Sequence, residues 1–186
     1  MIFEDVVTLD EKEWGEFIID EVFDVENSKP YHKVDLSETG EVPYITRTAK
    51  NNGLETIVNR QNTINPKDVI TFGAESVVFF YQPYEHITGN KVYYVKMKGN
   101  SYLLKKIGLF LTCCFQNNFK NTDYGFGLGL TGTRFRRMKV KLPINSTNIP
   151  DWEYMEQYTK NIISKKLDLY LNYIEKLKLE RERERE

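Results

Sequence analysis

Between residues 42 and 97, five short runs, 42–46, 54–58, 69–72, 77–82 and 91–97, are rich in Val, Ile, Thr, Tyr and Phe. Each is cut off by turn chemistry: Asn52-Gly53, Asn65-Pro66, Gly73, Gln82-Pro83 and Gly89-Asn90. β-branched and aromatic residues fit a pleated, half-buried surface, and Gly, Pro and Asn supply the backbone angles that reverse a chain. Five such runs predict a curled, mostly antiparallel sheet.

The flanks are different. Trp14, Phe17, Ile18, Ile19, Val22 and Phe23 stand among acids and predict a strand followed by a short helical turn. Across 100–119, Leu103, Ile107, Phe110, Leu111 and Cys114 recur at steps of three and four, which is an amphipathic helix with Asn100 or Ser101 as its N-cap. A glycine-rich loop over 124–132 precedes a further expected strand over 134–142, and the globular part closes near Ile149. After Pro150, Asp151 is placed to cap a second helix, whose apolar stripe begins with Trp152 and Met155. From Ile163 the stripe runs through Leu167, Tyr170, Ile174 and Leu177 in steps of four and three, an a/d seam suited to a second helix. Docking of this helix on its own domain is the alternative, although Leu169, Tyr173 and Leu179 add apolar surface off the seam. The tail 180–186 alternates Glu and Arg, placing like charges at i,i+4, and is expected to fray. The expectation is an α+β fold: a curled, mostly antiparallel β-rich domain over 1–149, then a long C-terminal spacer or dimerisation helix over 150–186.

Several functions are poorly supported. The longest nearly apolar run, 107–115, is too short to span a bilayer, and the acidic N-terminus does not resemble a secretory signal, so the expected setting is cytoplasmic, without a membrane. Cys113 and Cys114, adjacent in an apolar stretch, read as small buried fillers in a reducing compartment. With only His32 and His86 as imidazoles, no metal site is expected. Gly125, Gly127, Gly129 and Gly132 lack dinucleotide-loop spacing, and no phosphate-binding loop, nucleophile elbow or Asn-Pro-Pro-aromatic tetrapeptide occurs. Asp68 and Glu75 come nearest to a nuclease pair but lack the accompanying Glu-x-Lys, so a metal-dependent nuclease is the weaker alternative and no catalytic residue is assigned.

Charge is segmented. Residues 1–40 carry 12 acids and 3 bases, residues 41–149 carry 6 acids and 15 bases, and residues 150–186 carry 9 acids and 8 bases. A basic middle can present a positive face to a polyanion. Within it, Thr46, Arg47, Thr48, Lys50, Asn51 and Asn52 lie where a strand runs into a polar loop, and Arg60 and Gln61 repeat the chemistry one strand later. Arg134 and Arg136 would share one face of a strand. Arg pairs bidentately with guanine and Asn with adenine, so these residues are the candidate DNA contacts, expected to converge on one concave surface. A protein-interaction module, in which the basic middle is incidental, is the competing reading.

The order of motifs adds a resemblance. Trp14-Gly15-Glu16-Phe17, then Gly40-Glu41-Val42-Pro43-Tyr44-Ile45-Thr46-Arg47-Thr48, Asn51-Asn52-Gly53, Tyr124-Gly125-Phe126-Gly127, Leu142-Pro143-Ile144 and Pro150-Asp151-Trp152-Glu153-Tyr154-Met155 resemble the DNA-specificity subunits of type I restriction-modification systems. The resemblance implies a non-catalytic target-recognition domain that binds double-stranded DNA beside a DNA adenine methyltransferase subunit and a restriction subunit. It implies no cofactor in this chain, S-adenosylmethionine being held by the partner methyltransferase. Such subunits typically join two recognition domains by two long helices. One domain and one helix imply a half-subunit that forms a homodimer through the helix residues Ile163, Leu167, Tyr170, Ile174 and Leu177.

Overall fold

The computed structural model describes residues 6–100, 102–124 and 127–183. In chain order the elements are β1 (Trp14–Ile18), α1 (Ile19–Val22), β2 (Phe23–Asn27), β3 (Val42–Ile45), β4 (Leu54–Val58), β5 (Val69–Gly73), β6 (Phe79–Gln82), β7 (Ile87–Thr88), β8 (Val92–Met97), α2 (Leu103–Phe119), α3 (Gly132–Arg136), β9 (Lys139–Pro143) and α4 (Trp152–Arg183). Short polar turns close the strands, and pairing is antiparallel throughout except between β3 and β7. This is an α+β fold with a long C-terminal helix.

The strands divide among three sheets. β2-β8-β5-β6 form the central sheet, β4-β3-β7 a smaller one, and β1-β9 a ribbon beside them. The segment over 134–142, expected as one strand, splits into a helical turn and β9. The Thr131 hydroxyl accepts a hydrogen bond from the Arg134 N–H at 3.3 Å, an N-cap that starts α3. Phe135 is thereby driven into a ring cluster, 4.7 Å from Phe72 and 5.3 Å from Phe119 between centroids. A run in strand geometry would have left that ring position unfilled.

Helix α2 lies against the central sheet with Leu104, Ile107, Leu111, Phe115 and Phe119 buried. Each such side chain contributes about 1.5–3 kcal/mol by leaving water. Gly108 permits the contact: a Cβ there would lie 2.4 Å from the Tyr81 ring of β6. Among the described residues no side chain caps the N-terminus of α2. Tyr102 occupies the N-cap position rather than Asn100, and Ser101 lies outside the described residues. Of the two cysteines Cys114 is buried and its thiol is pushed up to about 12, chiefly by that burial. Cys113, expected as a second filler, is exposed, because it faces away from the sheet at the next helical position.

The acidic N-terminal segment and the basic middle meet across strands. β1 pairs with β9 and β2 with β8, bringing Glu16 to Lys139 at 3.3 Å and Glu26 to Lys96 at 3.2 Å. Part of the positive excess of the middle segment is thus neutralised by its own chain.

Helix α4 begins where Asp151 Oδ1 accepts the Tyr154 N–H at 3.0 Å. Lys12 donates to the other oxygen at 2.7 Å, and its ammonium sits 4.6 Å from the Tyr154 ring centre. Tyr154, Met155 and Thr159 are buried against the body. From Ile162 on most apolar side chains are exposed, Ile163 by 51%, Leu167 by 46% and Tyr170 by 59%, while Ile174 and Leu177 are half-buried along the helix itself. The helix therefore docks by its first two turns and leaves the domain. The last turn holds Arg181 and Arg183, while Glu184, Arg185 and Glu186 of the expected fraying tail lie outside the described residues. Among the described residues, no helix is long and apolar enough to cross a membrane.

Candidate nucleic-acid interface

Strand β3 ends at Ile45, and the chain then enters the loop that holds most of the candidate residues. The Thr46 N–H donates to the Gly53 carbonyl at 2.9 Å, and the Gly53 N–H to that of Lys50 at 2.9 Å, closing the loop on itself. Asn51 and Asn52 adopt left-handed backbone angles, φ 50° and 55°, which Asn tolerates better than most residues. The Asn52 amide donates to the Tyr81 carbonyl at 3.0 Å, and the Asn52 carbonyl accepts from Gln82 Nε2 at 3.0 Å. Asn52 is thereby an anchor between the two larger sheets, with its amide donor engaged inside the protein. The Thr48 hydroxyl accepts from the Lys50 N–H at 3.3 Å. The Lys50 side chain extends from the exposed part of the loop.

Arg47 lies against the turn that follows β5. A Cβ on Gly73 would come within 2.9 Å of Arg47 Cγ, so the glycine lets the arginine stem lie flat there. Arg47 Nη1 donates to Glu75 Oε2, and Lys91 donates to Glu75 Oε1 at 2.5 Å. The Glu75 carboxyl is held below the usual range, first by the Lys91 hydrogen bond and further by the charges of Arg47 and Lys91. Arg134 is linked to the same turn through the 129–130 segment. Its Nη1 donates to the Gly129 carbonyl at 2.6 Å, and the Leu130 N–H donates to the Ala74 carbonyl at 2.7 Å. Arg47 directly, and Arg134 through residues 129–130, are thus both tied to one turn, residues 73–75.

The other arginines lie elsewhere. Val42 pairs with Val58 and Ile45 with Leu54, so Arg60 follows the end of the β3-β4 hairpin remote from Arg47. At about 3.4 Å per residue those hairpin ends are some 13 Å apart. Arg60 pairs with Glu85 at 3.1 Å, and Gln61 Nε2 donates to the Asn59 carbonyl at 3.4 Å. Arg136, on α3 rather than a strand, is turned away from Arg134. It donates to the Val25 carbonyl and faces Asp20 at 3.8 Å. The expected convergence is therefore partial: it joins the 46–52 loop and Arg134 around one turn and omits Arg60, Gln61 and Arg136. Asp68 and Glu75 form no carboxylate pair, since Asp68 accepts from the Tyr81 hydroxyl at 2.6 Å and Glu75 is bound by two cations.

At the root of α4 an apolar groove of about 720 Å³ is lined by Trp14, Leu109, Cys113, Tyr158, Ile162 and Ile163, among others. Of its α4 wall the sequence stripe named Ile163 but not Tyr158 or Ile162, and Trp14 and Cys113 reach it from β1 and α2.

Residues 11–172 match the family described as the type I restriction modification DNA specificity domain. The chain belongs to that family. As a specificity domain it is a recognition component, not a catalyst. It is 27% identical over 163 residues to the specificity subunit S.BcgI of a type II restriction enzyme from Heyndrickxia coagulans, covering 87% of this chain and 47% of that protein. The fold is similar to the type I restriction-modification S subunit from M. genitalium, with a TM-score of 0.59 at 17% identity, covering 92% of this chain and 44% of that one. It is also similar to the HsdS subunit from Thermoanaerobacter tengcongensis, with a TM-score of 0.55 at 10% identity, covering 86% and 39% respectively. This specificity domain spans about half the length of the relatives it matches.

Proposed function

We propose that this specificity domain reads one half of a DNA target for a restriction-modification system, and that two copies joined through α4 read both halves. Cationic and amide groups around the 73–75 turn set register on phosphates and contact base edges, while modification and cleavage belong to a methyltransferase subunit, which carries S-adenosylmethionine, and a restriction subunit. A cytoplasmic setting, with the host's DNA, accords with this role.

The observation that carries the reading is the apolar face that α4 leaves exposed beyond its docked turns, with Ile163, Leu167 and Tyr170 about half exposed. Beyond Ile162 the helix projects about 30 Å from the body at 1.5 Å per residue. Its apolar side chains favour antiparallel pairing. With Leu167 set against Leu177 of a second copy and Tyr170 against Ile174, the two-fold axis passes near position 172. Leu171 and Tyr173, 54% and 58% exposed in one copy, then meet their own counterparts across the axis. Lys166 comes opposite Glu180, an attractive pair that parallel pairing does not form. Antiparallel helices carry the two domains in opposed orientation, suited to an interrupted palindrome whose gap is set by helix length.

Expression of the chain with its methyltransferase subunit, followed by mapping of N6-methyladenine on genomic DNA, tests this reading. A two-part palindromic motif supports it. Methylation at a single asymmetric motif removes the pairing, and no chain-dependent methylation removes the role.

A further inference from the structure

Beside the Arg47 loop a polar cleft of about 360 Å³ opens between three stretches distant in sequence. Its lining includes His32 from the segment before β3, Thr46, Arg47 and Thr48 from the loop after β3, and Asn90 from the turn before β8. The floor is closed by internal hydrogen bonds: the Tyr44 hydroxyl donates to the Tyr31 carbonyl at 2.8 Å. The mouth differs. The side chains of His32, Thr46 and Asn90 make no hydrogen bond among the described residues, and His32 and Asn90 are exposed. Arg47 is fixed at its stem by the glycine turn and at Nη1 by Glu75, so its remaining N–H groups have a set direction. A concave site with a rigid cation and an unengaged amide suits the edge of a planar, acceptor-bearing ligand.

The donor balance selects the ligand class. Arg47 and Lys33 offer only donors, and the one carboxylate in the lining, Glu55, is already bound by Lys33 at 3.1 Å. Cytosine and thymine each present a single hydrogen-bonding group on the major-groove edge, the N4 amino group or O4, and so cannot take a paired contact. Adenine and guanine both present the N7 acceptor, which Asn or Arg can meet with a second bond to the neighbouring exocyclic group. We propose that this cleft reads one purine of the half-site through its major-groove edge, with Asn90 as a specificity-determining residue beside Arg47. The inference rests on the DNA-recognition reading and adds to it a position that no sequence motif indicated.

The test selects duplexes from a random-sequence library with the wild-type chain and with Asn90→Ala, then replaces each purine of the wild-type motif by its 7-deaza analogue. Asn90 is exposed, and an unchanged thermal midpoint will confirm that the variant folds. The expected result is one purine at which 7-deaza substitution weakens wild-type binding roughly tenfold, the scale of one bidentate contact. Asn90→Ala should tolerate any base at that position, be indifferent to the 7-deaza change there, and keep the rest of the motif. A variant that selects the unaltered wild-type motif, or that loses affinity equally for target and random duplex, overturns the cleft assignment while leaving DNA recognition standing. A wild-type chain that enriches no motif overturns both.

Discussion

Arg47 donates to Glu75 across 28 residues of chain, and the same carboxylate also holds Lys91. A cation that reads a base must be aimed, and an acid at its base aims it while cancelling part of its charge. Glu75→Gln is therefore expected to raise affinity for random duplex severalfold, since repulsion of phosphate is removed, and to lower discrimination, since Arg47 is freed. Competition binding with target and random duplexes measures both. A fall in affinity for both would make Glu75 a structural residue only.

Arg47→Ala should cost about 1–3 kcal/mol on the target and much less on random DNA if the guanidinium reads a base. Arg60→Ala, at the remote end of the hairpin and paired with Glu85, should weaken both duplexes equally or neither. Base specificity lost on Arg60→Ala but kept on Arg47→Ala would reverse the placement of the reading surface.

The double substitution Leu167→Asp and Ile174→Asp places charges on a face that the isolated domain leaves in water. The domain's thermal midpoint should hold, while the mass from light scattering falls from two chains to one. An unchanged mass would show that another surface joins the copies.

Asp151 ties the first turn of α4 to Lys12. Burial alone would raise its carboxyl, but the Lys12 hydrogen bond, the Tyr154 N–H and the Lys12 charge outweigh that and hold it below the ordinary 3.8. The folded state thus favours the ionised form. The stabilisation is complete above the ordinary value and is lost as pH falls through the lower folded value. Asp151→Asn should lower the urea midpoint at pH 7, and the gap to wild type should narrow at pH 2–3.

His86 is wholly buried, its Nε2 has no partner among the described residues, and burial lowers its pKa from the ordinary 6.5, although Nδ1 lies 3.1 Å from the Tyr84 carbonyl. The unfolded chain takes up a proton near pH 6.5 and the folded chain does so only at lower pH. Stability therefore declines as pH drops below about 6.5, until the folded value is reached. His86→Leu should flatten the urea midpoint between pH 7 and 5. An equal decline in the variant would assign the effect to other groups.

Local pattern was enough where pairing is close in sequence. Strand β4 was readable because its alternation is bounded by Asn52-Gly53, and the start of α4 because Asp151 precedes a helical stripe. Helix α3 was missed because its five residues lie in an arginine run resembling an alternating strand, although Thr131 three residues before Arg134 was a legible cap. Charge segmentation was visible, but the pairing of β1 with β9 that neutralises Lys139 spans more than 120 residues. The cleft was out of reach for the same reason: His32, Arg47 and Asn90 become neighbours only when the smaller sheet closes. The helix seam was legible in periodicity, whereas its exposure was not, since docking on the body would leave the same pattern.

The most direct test of the central claim is the dissociation constant of the chain for its selected duplex and for a scrambled one across a range of salt concentrations. The account predicts target binding at least a thousandfold tighter than scrambled, with both affinities falling linearly on logarithmic axes as salt rises. Equal affinity for the two duplexes, or no binding even at low salt, would contradict it.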